Sequence, residues 1–475
     1  MSGILLSKVV FLNIWGRYSF FLIEGVIFMR KILLLSAVLF GSIPSAYALD
    51  PMGVFEQNAP KNCVDKGLLD KEIGLPELLE IGLCNNPKLN RGYMAVKAEE
   101  ASLGSSKAEY LPSLSLEGQV SDAYDKVETV NSNADNPYRA NAALSWMLYD
   151  FGGRSARVKR AENYLLSVRF EYNALVKDTF LEINKAYFDL LSAQEVLKSA
   201  KTSEASFKKS FEESARRYEL GLVSLSDKLL AKTSYEESRL EVVQAENQVK
   251  GSQGKLATLL NVSPTTVFKL LKPKNDRDLT KLAMKDMTVE KMIDTALSLR
   301  PEIEKADADI EASVQNIKAL KAGHMPTISL MAQSGYHDNW RDNKNAEYSS
   351  SVALNLSVPL FSGFKVTYNV KEAEAQKEQA LFTKKEMIDT VKNEVWTSYH
   401  NYQTAVSSYD ISKKALESAV ENERVAFASY QVGKGDILNL LTAGSQLANA
   451  RKEVIVAYYA VLTSKASLYR AIGRF

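Results

Sequence analysis

Histidine, cysteine and proline are scarce in this sequence: its 475 residues include 3 His, 2 Cys and 12 Pro. His324, His337 and His400 are isolated, and no HExxH, GxSxG or P-loop pattern accompanies them, which leaves little room for metal or acid–base chemistry. A capping role at a helix end accounts for His324. The stretch FGGRSARVKR invites a phosphate-site reading, but a strand-to-helix turn is reason enough for its glycines. No catalytic residue, cofactor or metal ligand set is therefore assigned. Few prolines leave long helices uninterrupted. Charge of one sign is also lacking: 59 basic against 57 acidic residues give +2, which excludes a dedicated nucleic-acid binder.

What is present begins with a leader. MRKILLLSAVLFGSIPSAYA, Met29 to Ala48, has a basic start, an apolar run and an A-x-A end, the pattern of a signal peptide cleaved before Leu49. Residues 1–28, with Arg17 and Glu24 among apolar residues, read as an extension upstream of the true start at Met29. Export puts Cys63 and Cys84 in an oxidising compartment, where two cysteines read best as one disulfide.

The mature chain is a tandem repeat. NNPKL (85–89) matches LRPEI (299–303), and YLPSLSL (110–116) matches HMPTISL (324–330), both at an offset of 214. LSWMLYDFGG (144–153) matches LNLSVPLFSG (354–363) at 210. YELG (218–221) matches YQVG (430–433) at 212, and this last offset holds to the C-terminus. The domain reading is a periplasmic segment at 49–72, repeat one at 73–261, a linker at 262–287 and repeat two at 288–475.

Each repeat reads as helix, strand, strand, long helix, turn, helix. The first helix is expected from Leu75 to Glu109, ended by Pro112. Strands are expected at about 111–124 and 138–151, then 326–338 and 348–361. They alternate apolar and polar residues: Leu114, Leu116 and Val120 oppose Ser113, Ser115 and Glu117, and Val352, Leu354 and Leu356 oppose Ser351, Ala353 and Asn355. Aromatics gather at the strand ends: Tyr110, Tyr124, Tyr138, Tyr149 and Phe151, then Tyr336, Trp340, Tyr348, Phe361 and Phe364. An ordinary amphipathic sheet packed on a soluble core would give the same alternation. The helices weigh against it. From Arg154 to about Leu220 there is neither Pro nor Gly, and about 67 residues of helix span about 100 Å, too long for one globular domain. Gly221 and Gly433 end the long helices. Ser224 or Ser226, and Asp436, are the expected N-caps of the next ones. Four strands cannot close a membrane barrel, so if they enter lipid several chains must contribute.

This pattern resembles the outer membrane efflux proteins, the TolC-like channels, over about 75–475. The likeness rests on the duplicated order and on LPSLSL and MPTISL, LYDFGGR and PLFSGF, YELGLVSLSD and YQVGKGDILN. It implies a mainly α fold with membrane β: a homotrimer with a twelve-strand barrel in the outer membrane lipid and a long periplasmic helical barrel. It also implies partners, a periplasmic adaptor (membrane fusion) protein and an inner-membrane ABC or proton-driven pump. The function implied is a passive exit duct for type I protein secretion or small-molecule efflux. The cysteine pair and YDFGGR tilt the resemblance towards the type I branch. The family's two constriction carboxylates fall on Asn439 and Thr442, with Asp436 nearby but out of register. Asp227 falls where relatives hold an acid paired with an Arg of the neighbouring hairpin, and that Arg position is Gly435 here. Tyr430 matches a family Tyr of the closing network. The implied mouth is weakly charged, held by hydrogen bonds from Asn439 and Tyr430. The hairpin tips, Gly221 with Leu222 and Gly433 with Lys434, are the implied adaptor contacts. A periplasmic coiled-coil adaptor or scaffold is the alternative; it explains the long helices but not two complete copies with four amphipathic strands.

Overall fold

The computed structural model describes residues 72–121, 137–273, 288–339 and 347–474. The expected extension, the leader, Cys63 (and with it the disulfide to Cys84) and most of segment 49–72 lie outside the described residues.

Repeat one runs β1 (Glu72–Ile73), α1 (Leu75–Asn85), α2 (Pro87–Ala108), β2 (Ser113–Val120), β3 (Pro137–Tyr149), α3 (Gly153–Glu219) and α4 (Leu225–Leu259). The linker region contributes β4 (Lys269–Leu270), which pairs in parallel with β1. Repeat two runs α5 (Val289–Leu299), α6 (Pro301–Lys321), a 3-10 turn (Ala322–His324), β5 (Thr327–Asn339), β6 (Glu347–Ser357), α7 (Lys365–Gln431) and α8 (Ile437–Ile472).

The expected single helix from Leu75 to Glu109 is two helices. Pro87 carries no N–H and pushes Asn86 into extended backbone (φ −66°, ψ 122°), and the Asn86 side chain then accepts from the Lys88 amide at 2.9 Å as the cap of α2. Pro301 breaks the equivalent helix by likewise holding Arg300 in extended backbone (φ −81°, ψ 125°), there without a side-chain cap. His324 lies in a turn closed by backbone, Met325 N–H to Ala322 C=O, rather than acting through its side chain as a cap.

The four long strands form one antiparallel sheet in the order β2-β3-β5-β6. The centre of the sheet, β3 on β5, joins the two repeats. Register aligns Leu114, Leu144, Ala332 and Val352 in one row and Ser115, Ala143, Gln333 and Ser351 in the next. One face is thus mainly apolar, interrupted by Ser334 and Ser350, and the other mainly polar across the four strands. Neither face is covered: Leu114 is 77% exposed, Val352 75% and Leu354 67%. A sheet packed on a soluble core would bury these side chains, so that alternative fails. Aromatic pairs mark both ends of the apolar face. Tyr336 and Tyr348 lie 4.8 Å apart at one end, Tyr149 with Phe151 (4.7 Å) and Phe361 with Phe364 (5.4 Å) at the other.

The helices pack side by side. Near the sheet α3 lies between α2 and α6, and α7 against α6; towards the hairpin tips α3 lies between α4 and α8, and α8 between α3 and α7. Each repeat has its own core midway along its long helix. One is built on Leu78, Ile81, Ile183, Leu190, Leu256 and Leu260, the other on Met292, Val391, Val395, Leu468 and Ile472. A buried Leu or Ile contributes about 1.5–3 kcal/mol, so these clusters hold the bundle far from its ends. The linker's start is anchored to the first core, because the Tyr187 hydroxyl donates to the Leu271 carbonyl. Burial pushes that phenol up to about 12.

The sheet meets the helices through the LYDFGGR motif. Phe151 and Gly152 both take positive φ (50° and 90°), which turns the chain sharply from β3 into α3. Arg154, 4% exposed, then folds back beneath the strand end. Its guanidinium donates to the carbonyls of Met147 (2.6 Å), Leu148 (3.0 Å) and Glu109 (3.3 Å), and lies 4.6 Å from the centre of the Tyr110 ring. Repeat two turns at Gly363 and Phe364, with the order of glycine and aromatic reversed. Lys365 opens α7 directly, although KVTYNV is poor helix text. Val366 there sits over Gly323, where a Cβ would lie 3.5 Å from its methyls, so tertiary packing overrides propensity.

Candidate functional site at the hairpin tips

The turns that join α3 to α4 and α7 to α8 are built alike. Gly221 (φ 73°) and Gly433 (φ 73°) occupy the left-handed position that a Cβ resists. Each is followed by a back-bond across the helix end: Leu222 N–H to Arg217 C=O at 2.9 Å, and Lys434 N–H to Ser429 C=O at 3.0 Å. This is the six-to-one closure of a Schellman motif. It leaves Leu222 (69% exposed) and Val432 (69% exposed) uncovered at the two turns.

The acids expected near the constriction are engaged locally. Asp227 completes a capping box with Ser224: its Oδ2 accepts from the Ser224 amide (3.0 Å), and its own amide donates to Ser224 Oγ (3.1 Å). Asp436 caps α8 by accepting from the Asn439 amide at 2.6 Å. Between the two expected caps of α4, the structure selects Ser224 over Ser226. Asn439 and Thr442 lie on the exposed face of α8, and the Thr442 hydroxyl donates to the Leu438 carbonyl at 2.8 Å. Gly435 tucks against α7, where an added Cβ would lie 3.1 Å from the Ser429 Cβ and 3.2 Å from the Tyr430 amide.

Tyr430 is 2% exposed and belongs to a small core with Phe207, Ala231, Ala426, Ile437, Leu440 and Leu441. Its hydroxyl has no hydrogen-bond partner among the described residues. What holds Tyr430 is Arg217, which sequence reasoning missed. The guanidinium stacks on its ring at 4.6 Å, donates to the Gln431 carbonyl at 2.7 Å and pairs with Glu213 at 3.1 Å. Gln431 is the last residue of α7, so Arg217 satisfies an orphan carbonyl at the negative end of that helix and ties α3 to α7. A signal was available: a basic residue in the last turn before a glycine stop.

A second polar cluster, also unforeseen, lies beside the repeat-two core. Arg470 of α8 donates to Asp178 of α3 (2.6 Å) and to Glu302 of α6 (2.5 Å). Arg300 grips the same Glu302 (2.9 Å) and also Glu394 of α7. Burial alone would raise the Glu302 carboxyl; the hydrogen bonds from Arg300 and the charges of Arg470 and Arg300 outweigh it and hold it at about 2. Four helices meet in this network. Nearby, Lys177 donates to the Gly473 carbonyl at 2.9 Å, and burial pushes its ammonium down.

Among the described residues, no group of His, Cys, Asp and Glu is arranged to hold a metal ion, and no helix is long and apolar enough to cross a membrane. The exposed, two-faced sheet set on two helical hairpins defines a class: an outer membrane channel with a β end and a helical tunnel. The family described as outer membrane efflux protein matches residues 78–262 and 292–474, and the chain belongs to it. It is 28% identical over 408 residues to Protein CyaE of Bordetella pertussis, covering 85% of this chain and 84% of that one. It is 24% identical over 434 residues to Outer membrane protein TolC of Escherichia coli K12, covering 85% and 83%. A crystal structure of CusC shares the fold with a TM-score of 0.75 at 19% identity, covering 88% of this chain and 99% of that one. The protein is thus one of the outer membrane, with a helical tunnel in the periplasm.

Proposed function

We propose that three copies of this chain form the passive exit duct of a tripartite export system. The carrying observation is the sheet: β2 and β6 each pair on one side only among the described strands, and the face they share is apolar and uncovered. In lipid an unpaired strand edge is untenable, since each unsatisfied backbone group costs several kcal/mol. Pairing β6 of one copy with β2 of the next closes a barrel of twelve strands. The long hairpins then continue the pore into the periplasm. Asn439 and Thr442 lie at its narrow end, with Tyr430 in the core behind them and Asp227 and Asp436 as helix caps. The tips, Gly221 with Leu222 and Gly433 with Lys434, face a periplasmic adaptor, with Leu222 and Val432 as their exposed apolar side chains and Lys434 as a charge beside them. An inner-membrane pump, ABC-type or proton-driven, supplies the energy. The cargo is a secreted polypeptide or a small molecule.

The test is the native mass of protein extracted in detergent from the outer membrane fraction. A trimer is expected. A monomer or dimer of full-length mature chain overturns the shared barrel.

A further inference from the structure

The two repeats begin their last helices in different chemistry. By the 212 offset, Leu225–Ser238 of α4 is equivalent to Ile437–Ala450 of α8. The first stretch, LSDKLLAKTSYEES, contains Asp227, Lys228, Lys232, Glu236 and Glu237. The second, ILNLLTAGSQLANA, contains no charged residue over about four turns, in a chain that is 24% charged. Both stretches are N-capped and both contribute to the same tip core, so folding does not require the difference.

The difference lies in what each helix exposes. In α8 the buried half is Ile437, Leu440, Leu441, Ala443 and Leu447. The exposed half is Leu438, 61% exposed, with Asn439, Thr442, Ser445, Gln446 and Asn449, which are polar; none of the six is charged. Asn422 of α7 extends this face, since its amide donates to Gln446 Oε1 at 3.2 Å. A helix face turned to open solvent ordinarily carries charge, as α4 does. A face brought against copies of itself is different. Three like charges converging on an axis repel, and the repulsion grows as water is squeezed out. Amides both donate and accept, so three of them can satisfy one another in a ring.

We infer that Asn422, Asn439, Thr442, Gln446 and Asn449 form a neutral hydrogen-bonding collar at the narrow end of the duct. The collar closes without bound cations and passes cargo of either charge, so polypeptide segments carrying both signs cross it without a charge barrier. This rests on the channel reading and adds the charge class of the cargo to it.

The experiment uses the purified full-length trimer in planar bilayers under a potassium chloride gradient, with hexaamminecobalt(III) added on the hairpin side. Wild type is expected to show a potassium-to-chloride permeability ratio within about twofold of unity, and no block by millimolar trivalent cation. Asn439→Asp and Thr442→Asp should each raise that ratio about fivefold or more and create the block. Asn439→Asp adds an acid in the first turn of α8, where the helix dipole favours it, so the variant folds. A wild-type channel that is strongly cation-selective and blocked overturns the collar. So does a neutral wild type in which both substitutions change nothing, because this face then lies off the pore. A protein that forms no pores overturns the channel reading itself, a result distinct from either.

Discussion

The Arg217 guanidinium lies 4.6 Å from the centre of the Tyr430 ring while donating to the next carbonyl, Gln431, at 2.7 Å. One side chain thus joins the ends of the two long helices. Arg217→Ala removes a charge-assisted hydrogen bond and a cation–π contact, together worth about 2 kcal/mol. The expected outcome is a tip that opens more often, seen as larger mean conductance and faster proteolysis near Gly221 and Gly433. Arg217→Lys keeps the charge but not the planar fork, and should recover less than half of the effect. Unchanged conductance and protease resistance in the alanine variant would show that the tie is incidental.

Glu302 makes the bundle sensitive to acid. Its folded pKa of about 2 lies below the ordinary value of 4.5, so its contribution is complete above about pH 4.5 and disappears as pH falls towards 2. The shift corresponds to about 3 kcal/mol at most. Thermal unfolding followed from pH 7 to pH 3 should show Tm falling below pH 4.5. Glu302→Gln should lower Tm at pH 7 and flatten the fall. A variant with the wild-type acid slope would assign that slope to other carboxylates.

Arg154 supports the joint between sheet and helices. Arg154→Ala strips the donor from three strand-end carbonyls in a buried place, at a cost of about 3 kcal/mol or more. The expected result is a lower yield of assembled protein in the outer membrane, with soluble chain accumulating in the periplasm. Quantitative fractionation checks this. Arg154→Lys, which keeps one donor group, should fall between the two.

Asp436 separates capping from conduction. Asp436→Ala should destabilise the tip by about 1 kcal/mol, while Asp436→Asn keeps the cap. If the carboxylate serves only α8, the Asn variant retains wild-type ion selectivity as well as stability. A changed reversal potential in that variant would place Asp436 in the pore.

The repeat, the long helices and the four strands were legible because each is a periodic pattern, and periods survive without tertiary information. Gly221 and Gly433 were legible because only a glycine stop fits those turns. The break at Asn86 was missed although Pro87 was in view: the helical pattern on both sides masked a proline that is compatible with the first position of a helix. Ser224 was one of two expected caps, and its three-residue spacing to Asp227, the mark of a capping box, was the unused signal that separates it from Ser226. Arg217 with Gln431 and Arg470 with Glu302 lie 214 and 168 positions apart, and no local pattern links such pairs.

The seam between the repeats runs through the middle of the sheet, β3 on β5, rather than along an edge. Each repeat therefore owns a complete strand hairpin and a complete helical hairpin. In the proposed trimer the ring would divide equally well into six such units as into three chains. A gene half this length would encode everything the ring needs, used six times. What duplication adds is freedom to make neighbours unlike: the start of α4 keeps its charges, and the equivalent stretch of α8 has none.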